Sequence, residues 1–231
     1  MKLLSRRAYR FAFSLAASVL LFTGIAVGGP PLICHVFDIG SAESLPWVSH
    51  NWNLTGNETY NASKLAPDTL AILASDSTVL VHMETLRRAT LYARNNPDAA
   101  KELFTMLSAG TKSAQPGASP ALFYFDVGYL SETYKQWLGT DTRNPAYGID
   151  GYALIKQAIQ LRGDDPQMEF AAALVTLNGP DSQHQAHVQK AIAGAKTDSL
   201  LARNLSSHFI GRQDPTIAEI LTKPAVPQAK P

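Results

Sequence analysis

Apolar residues recur with a helical period over most of this chain, most clearly from Ser77 to Gly110. There Val79, Met83, Leu86, Thr90 and Ala93 fall in one narrow sector of a 3.6-residue wheel, with Leu80 at its edge. Glu84, Arg88 and Asn95 lie on the far side, which predicts a dry face and a wet one. Asn95-Asn96-Pro97 ends this helix, because a residue before proline is driven out of the α region. The same residues open a second helix: Asn96 suits a cap, Pro97 the first position, and Asp98 the positive end of the dipole. Ala100, Leu103, Phe104 and Leu107 give it an apolar stripe, and Gly110 a stop. Two such stripes facing each other predict a helical hairpin.

The same pattern predicts further helices. One starts near Pro67-Asp68. Another runs through ALFYFDVGYLSETYKQWLG, with Leu122, Phe123, Val127, Leu130, Tyr134, Trp137 and Leu138 as its stripe. Others follow over Gly151–Arg162, from Asp165-Pro166 to Gly179-Pro180, from Asp181 to about Lys196, after Asp198, and after Asp214-Pro215. An Asn or Asp followed by proline recurs at 96, 165 and 214, but the spacings, 69 and 49 residues, match no fixed repeat. The expected fold is therefore all-α: an irregular array of stacked helical hairpins, tetratricopeptide-like without a fixed repeat, carrying an extended N-terminal arm.

Segments without helical period complete the plan. Lys2, Arg6, Arg7 and Arg10 precede an apolar run from Phe11 to Val27, and Ala26-Val27-Gly28 offers small residues for a signal peptidase. Residues 1–28 read as a signal peptide, an uncleaved N-terminal anchor being the alternative. The protein is then extracytoplasmic, periplasmic or secreted, or membrane-anchored by residues 11–27. Residues 29–64 contain several Pro and Gly together with Phe37, Trp47, Trp52 and Tyr60, too aromatic for a solvated tail. They read as an arm pinned onto a helical domain at 65–223. A polar Gly/Pro/Ser linker interrupts that domain at 110–120, and residues 224–231 form a proline-rich tail.

Charge and cysteine content narrow the function. Apolar content of 45% with 17% charged residues suits a globular core. Loss of residues 1–28 leaves 16 basic and 19 acidic side chains, a formal charge of −3, with no basic patch. Nucleic acid is thus an unsuitable partner. The single cysteine, Cys34, excludes an internal disulfide, so the core must hold unaided.

Several words resemble an uncharacterised family of predicted exported bacterial proteins: Cys34-His35, FDIG at 37–40, SLPW at 44–47, METLRRATLYA at 83–93, DGYALI at 150–155, MEFAAAL at 168–174 and SLLARNL at 199–205. The resemblance implies a bacterial source and carries no activity. It also weakens glycosylation at the sequons beginning at Asn53, Asn57, Asn61 and Asn204, which read more simply as polar turns.

Candidate chemistry is sparse. Cys34 beside His35 could bind a soft metal or act as a nucleophile, although adjacent residues of an extended segment point apart. His184 and His187, three apart on a helix, could supply two metal ligands, but their glutamine neighbours suggest a solvated face and further ligands are missing. His82 borders the dry face, where a satisfied core histidine is the plainer reading. Arg87 and Arg94 share a flank that could hold an anion or an acidic partner segment, against a solvated, Glu84-paired edge. Asp126, Glu132, Asp150 and Glu169 read as single carboxylates. There is no G-x-S-x-G, H-E-x-x-H, phosphate-binding glycine loop or C-x-x-C. The expectation is a non-catalytic scaffold for a protein or peptide partner, without a cofactor, provided the arm does not fill the groove itself. The alternatives are a small extracytoplasmic enzyme or metal-binding protein using Cys34 and His35, and a purely structural envelope component.

Overall fold

The computed structural model describes residues 31–48, 54, 56–75, 78–110, 119–208, 210 and 214–222. The expected signal, Trp52, Asn53, most of the linker at 110–120 and the C-terminal tail lie outside them. The described residues form helices and no strand, in agreement with the all-α expectation. A 3-10 turn at Ala62–Lys64 leads into α1 (Leu65–Leu73), α2 (Val79–Ala93) and α3 (Pro97–Ala109). After the linker come α4 (Pro120–Trp137), α5 (Gly151–Arg162), α6 (Pro166–Val175), α7 (Asp181–Ala195), α8 (Ser199–Ser207) and α9 (Pro215–Thr222).

Local chemistry sets these boundaries. Asp150 accepts the amide of Ala153, Asp165 those of Gln167 and Met168, and Asp198 those of Leu200 and Leu201, so each carboxylate satisfies otherwise orphaned donors. Asn96 departs from the expected cap: its amide donates to the Tyr92 carbonyl at 2.8 Å, so it closes α2 and leaves α3 without a side-chain cap. Gly163 ends α5 at φ 79°, the left-handed conformation a helical stop favours.

Packing departs from the hairpin expected at 77–110. Helix α2 lies chiefly against α4 and α1, and touches α3 little. The close hairpins are α4 with α5 and α6 with α7. Glycines permit both. A Cβ at Gly128 would stand 2.7 Å from the Gly151 carbonyl oxygen, and one at Gly194 would run into the Pro166 ring. Helices α2 and α4 run in the same direction, with His82 against Asp126 and Thr90 against Thr133 as successive rungs.

The predicted wet face of α2 is absent. Every residue of α2 except Arg88 is buried, Glu84 and Arg87 among them. The cause is the arm: residues 31–48, without helix or strand, lie over that face and bury Leu32, Ile33, Phe37 and Leu45 completely or nearly so. Its aromatic anchoring follows expectation, since Phe37 packs edge-on against Phe170, and Trp47 edge-on against Tyr92.

Candidate functional site

Among the described residues, two extended polar clusters interrupt the apolar core, beside the isolated His82–Asp126 pair. The first holds the arm on α2. Glu84 Oε1 accepts from Arg88 Nε at 2.7 Å and Arg87 Nη1 at 3.2 Å, while its Oε2 accepts the Phe37 amide at 3.0 Å. Arg87 Nε donates to the Ile33 carbonyl at 2.9 Å, and Arg88 Nη1 to the Leu45 carbonyl at 2.6 Å. The extended arm has no ladder partner, so these side chains take up its backbone groups. Asn204 adds two more bonds, from the Asp38 amide and to the Asp38 carbonyl, each 2.8 Å. That occupation explains why Asn204, the acceptor residue of its sequon, is buried. Asn57 and Asn61 instead form the expected polar turns with Thr59 and Ser63.

The candidate residues of the arm and α2 divide as follows. Cys34 is half-buried, and burial pushes its thiol up despite the nearby Arg87, which disfavours the reactive thiolate. His35 is held below its ordinary value by burial and by Arg87, and its ring lies 5.3 Å from that of His208. His208, stacked on Phe37 at 4.5 Å, is pushed down by burial to about 3, with the Asn204 carbonyl opposing. His82 is fully buried, as its plainer reading required, with Nδ1 2.7 Å from Asp126. Burial raises the Asp126 carboxyl, and His82 counteracts this. Arg87 is no solvated edge: it is enclosed, and its Nη2 has no partner atom. Arg94 stands apart from it, exposed, with its guanidinium carbon 4.5 Å from the centre of the Trp137 ring. The structure therefore brings Cys34, His35 and Arg87 into one neighbourhood, and leaves His82 and Arg94 elsewhere on the helix.

The second cluster joins α5, α6 and α7. Glu169, wholly buried on α6, accepts His187 Nδ1 in a short hydrogen bond and Lys190 Nζ at 2.9 Å. The other ring nitrogen of His187 meets the Tyr152 hydroxyl at 2.8 Å. Lys190 also reaches Asp164 at 2.9 Å, and the Lys156 ammonium lies 4.6 Å from the centre of the Tyr152 ring. The Tyr152 hydroxyl is held above its ordinary value by burial and then by Glu169 and Asp150. The solvated face expected for His184 and His187 is thus incorrect: His184 Nδ1 donates to the Ala173 carbonyl at 3.0 Å, so both rings turn toward α6. Each histidine is engaged with a different partner, and among the described residues no three His, Cys, Asp or Glu side chains gather as a metal site would require.

Tyr152 and Glu169 were not singled out together by sequence. The available signal was a charged residue inside an apolar run, MEFAAALV, since a carboxylate there must find a partner. Asp126 within LFYFDVGYL carries the same signal.

Over the described residues, the fold is all-helical with a covering arm, and carries buried ion pairs at Glu84, Asp126 and Glu169. Comparison with protein-family models, curated proteins and solved structures returns no match. Among the described residues, no helix is long and apolar enough to cross a membrane.

Proposed function

We propose that this is an exported helical scaffold that docks a protein or peptide partner through the ordered loop between α4 and α5. Export rests on the basic-apolar-small pattern of residues 1–28. The groove along α2 is occupied by the chain's own arm, so a partner must use another surface. One observation carries the loop reading. Tyr147 is 57% and Ile149 37% exposed, on a loop whose base is buried and hydrogen-bonded. Asn144 is buried there, donating to the Gly139 carbonyl at 2.7 Å and accepting the Ala146 amide at 2.8 Å. The Tyr147 amide returns to the Asn144 carbonyl at 2.9 Å, and Ala146 is fully buried. A turn so held, presenting a tyrosine and an aliphatic side chain, loses little entropy on association, and tyrosine is enriched among binding hot spots.

The test is site-specific photo-crosslinking in the envelope of the source cell, with the probe at 147 and a control at the exposed position 160 on α5. The expected result is a discrete protein adduct at 147 alone, competed away by unlabelled protein and lost on Ile149→Ala. No adduct at 147, or equal adducts at both positions, contradicts the reading.

The enzyme reading built on Cys34 and His35 draws less support, because burial works against the thiolate. The Cys34→Ser variant and the parent protein should purify with equal metal content, measured by elemental analysis.

A further inference from the structure

We infer that Tyr152, His187 and Glu169 form a nucleophilic site for small activated acyl esters, with Tyr152 as the acceptor oxygen. The inference is independent of the α4–α5 loop. It rests on connectivity: a buried carboxylate holds one ring nitrogen of a histidine, and the other nitrogen faces a hydroxyl on a third helix. The hydrogen bond from His187 Nδ1 to the Glu169 carboxylate places the proton on that side on the imidazole. In the neutral ring, Nε2 is then the acceptor for the Tyr152 O–H. That is the arrangement of an oriented general base beside a nucleophile.

Each member has a cause in the fold. Glu169 is fully buried and Lys190 pairs with its other oxygen, so rotation of the imidazole would leave Oε2 buried without its hydrogen bond. The His187 side chain keeps 13% exposure and Tyr152 is half-buried, so neither side chain is sealed in the core. Tyr152 is placed by its helix start, where its amide donates to Glu132 Oε1 at 3.1 Å. The Lys156 ammonium, 4.6 Å from the centre of the tyrosine ring, supplies a positive charge beside the nucleophile.

The step balances without a further reactant. The Tyr152 oxygen bonds to the acyl carbon, and its proton passes to His187 Nε2. The bond from the acyl carbon to the leaving oxygen breaks, and the departing aryloxide takes up that proton directly or through solvent. The substrate class follows from the nucleophile. Burial holds the Tyr152 phenol above its ordinary value of about 10, so transfer is favoured from leaving groups no more basic than a phenol. An aryl-type ester meets that condition and an alkyl ester does not. Tyr152 and His187 are the catalytic residues, and Glu169 is a positioning residue.

The protein supplies its own control, because Tyr147 is exposed and has no imidazole against its hydroxyl among the described residues. Full-length protein is treated with p-nitrophenyl acetate, and acetylation at Tyr152 and Tyr147 is followed by peptide mass spectrometry. A positioned base contributes about 10²–10⁴-fold. Tyr152 should therefore be acetylated at least ~100-fold faster than Tyr147. His187→Gln should bring it to the Tyr147 level, and Glu169→Gln should shift the pH at which the Tyr152 rate reaches half its maximum. Equal rates at the two tyrosines in the parent protein overturn the inference, whatever the variants do. So does an unchanged Tyr152 rate in a folded His187→Gln variant.

Discussion

Glu84 has no access to solvent, and both of its oxygens are occupied by Arg87, Arg88 and the Phe37 amide. Such a cluster contributes little net stability when whole, because desolvation of its charges offsets their attraction. Broken, it is costly. Glu84→Ala strands the enclosed guanidinium of Arg87 and should destabilise by about 3–5 kcal/mol in urea unfolding. His208 gives a second prediction at this scale. Its folded value of about 3 lies below the ordinary 6.5, so between those limits the unfolded chain binds a proton that the folded chain does not. Stability is unaffected above the higher value and falls as pH drops through the window, by roughly 4–5 kcal/mol at its lower end. His35, lowered for the same reason, adds to the loss. His208→Phe, which retains an aromatic ring against Phe37 and Phe170, should flatten the slope of stability against pH between about 6 and 4, measured by urea unfolding.

Among the elements, the closest helix pairs depend on the absence of a side chain. The backbones of α4 and α5 meet at Gly128 and Gly151, where an added Cβ meets carbonyl oxygen that cannot swing aside. Gly128→Ala should cost about 1–3 kcal/mol by overpacking, although alanine is the better helix former, and thermal unfolding will show the sign. Helix limits were legible because proline, glycine and capping carboxylates act within a few residues: Asp165-Pro166, Asp198 and Gly163 fall where the helices begin or end. Partners were not legible. The stripe at Val79, Met83 and Leu86 shows that α2 has a dry face, but gives no preference for α4 over its sequence neighbour α3. That choice is marked by buried polar pairs, His82 with Asp126 and Thr90 with Thr133, which tie α2 to α4.

At the scale of the molecule, the arm changes what the helices mean. A helical wheel places Glu84 and Arg88 in water because it assumes that the polar face stays uncovered. An extended segment has no helical period from which its docking could be read, so its cover over α2 was invisible beyond the aromatic count. The same blindness applies to the second cluster. His187 looks solvated beside Gln183, Gln185 and Gln189, yet Glu169 on another helix turns it inward. With the arm in place, Leu32, Ile33, Phe37 and Leu45 are as much core as the residues of α2 they cover, and the α4–α5 loop is the surface proposed for a partner. Native-state hydrogen exchange at the Phe37 and Asp38 amides, held by Glu84 and Asn204, tests this most directly. The account predicts that they exchange only by global unfolding, with the same opening free energy as the core amides of α2 and α4. Exchange of the arm amides at a much lower free energy, while α2 and α4 stay protected, would mean a detachable latch over an open groove and would contradict it.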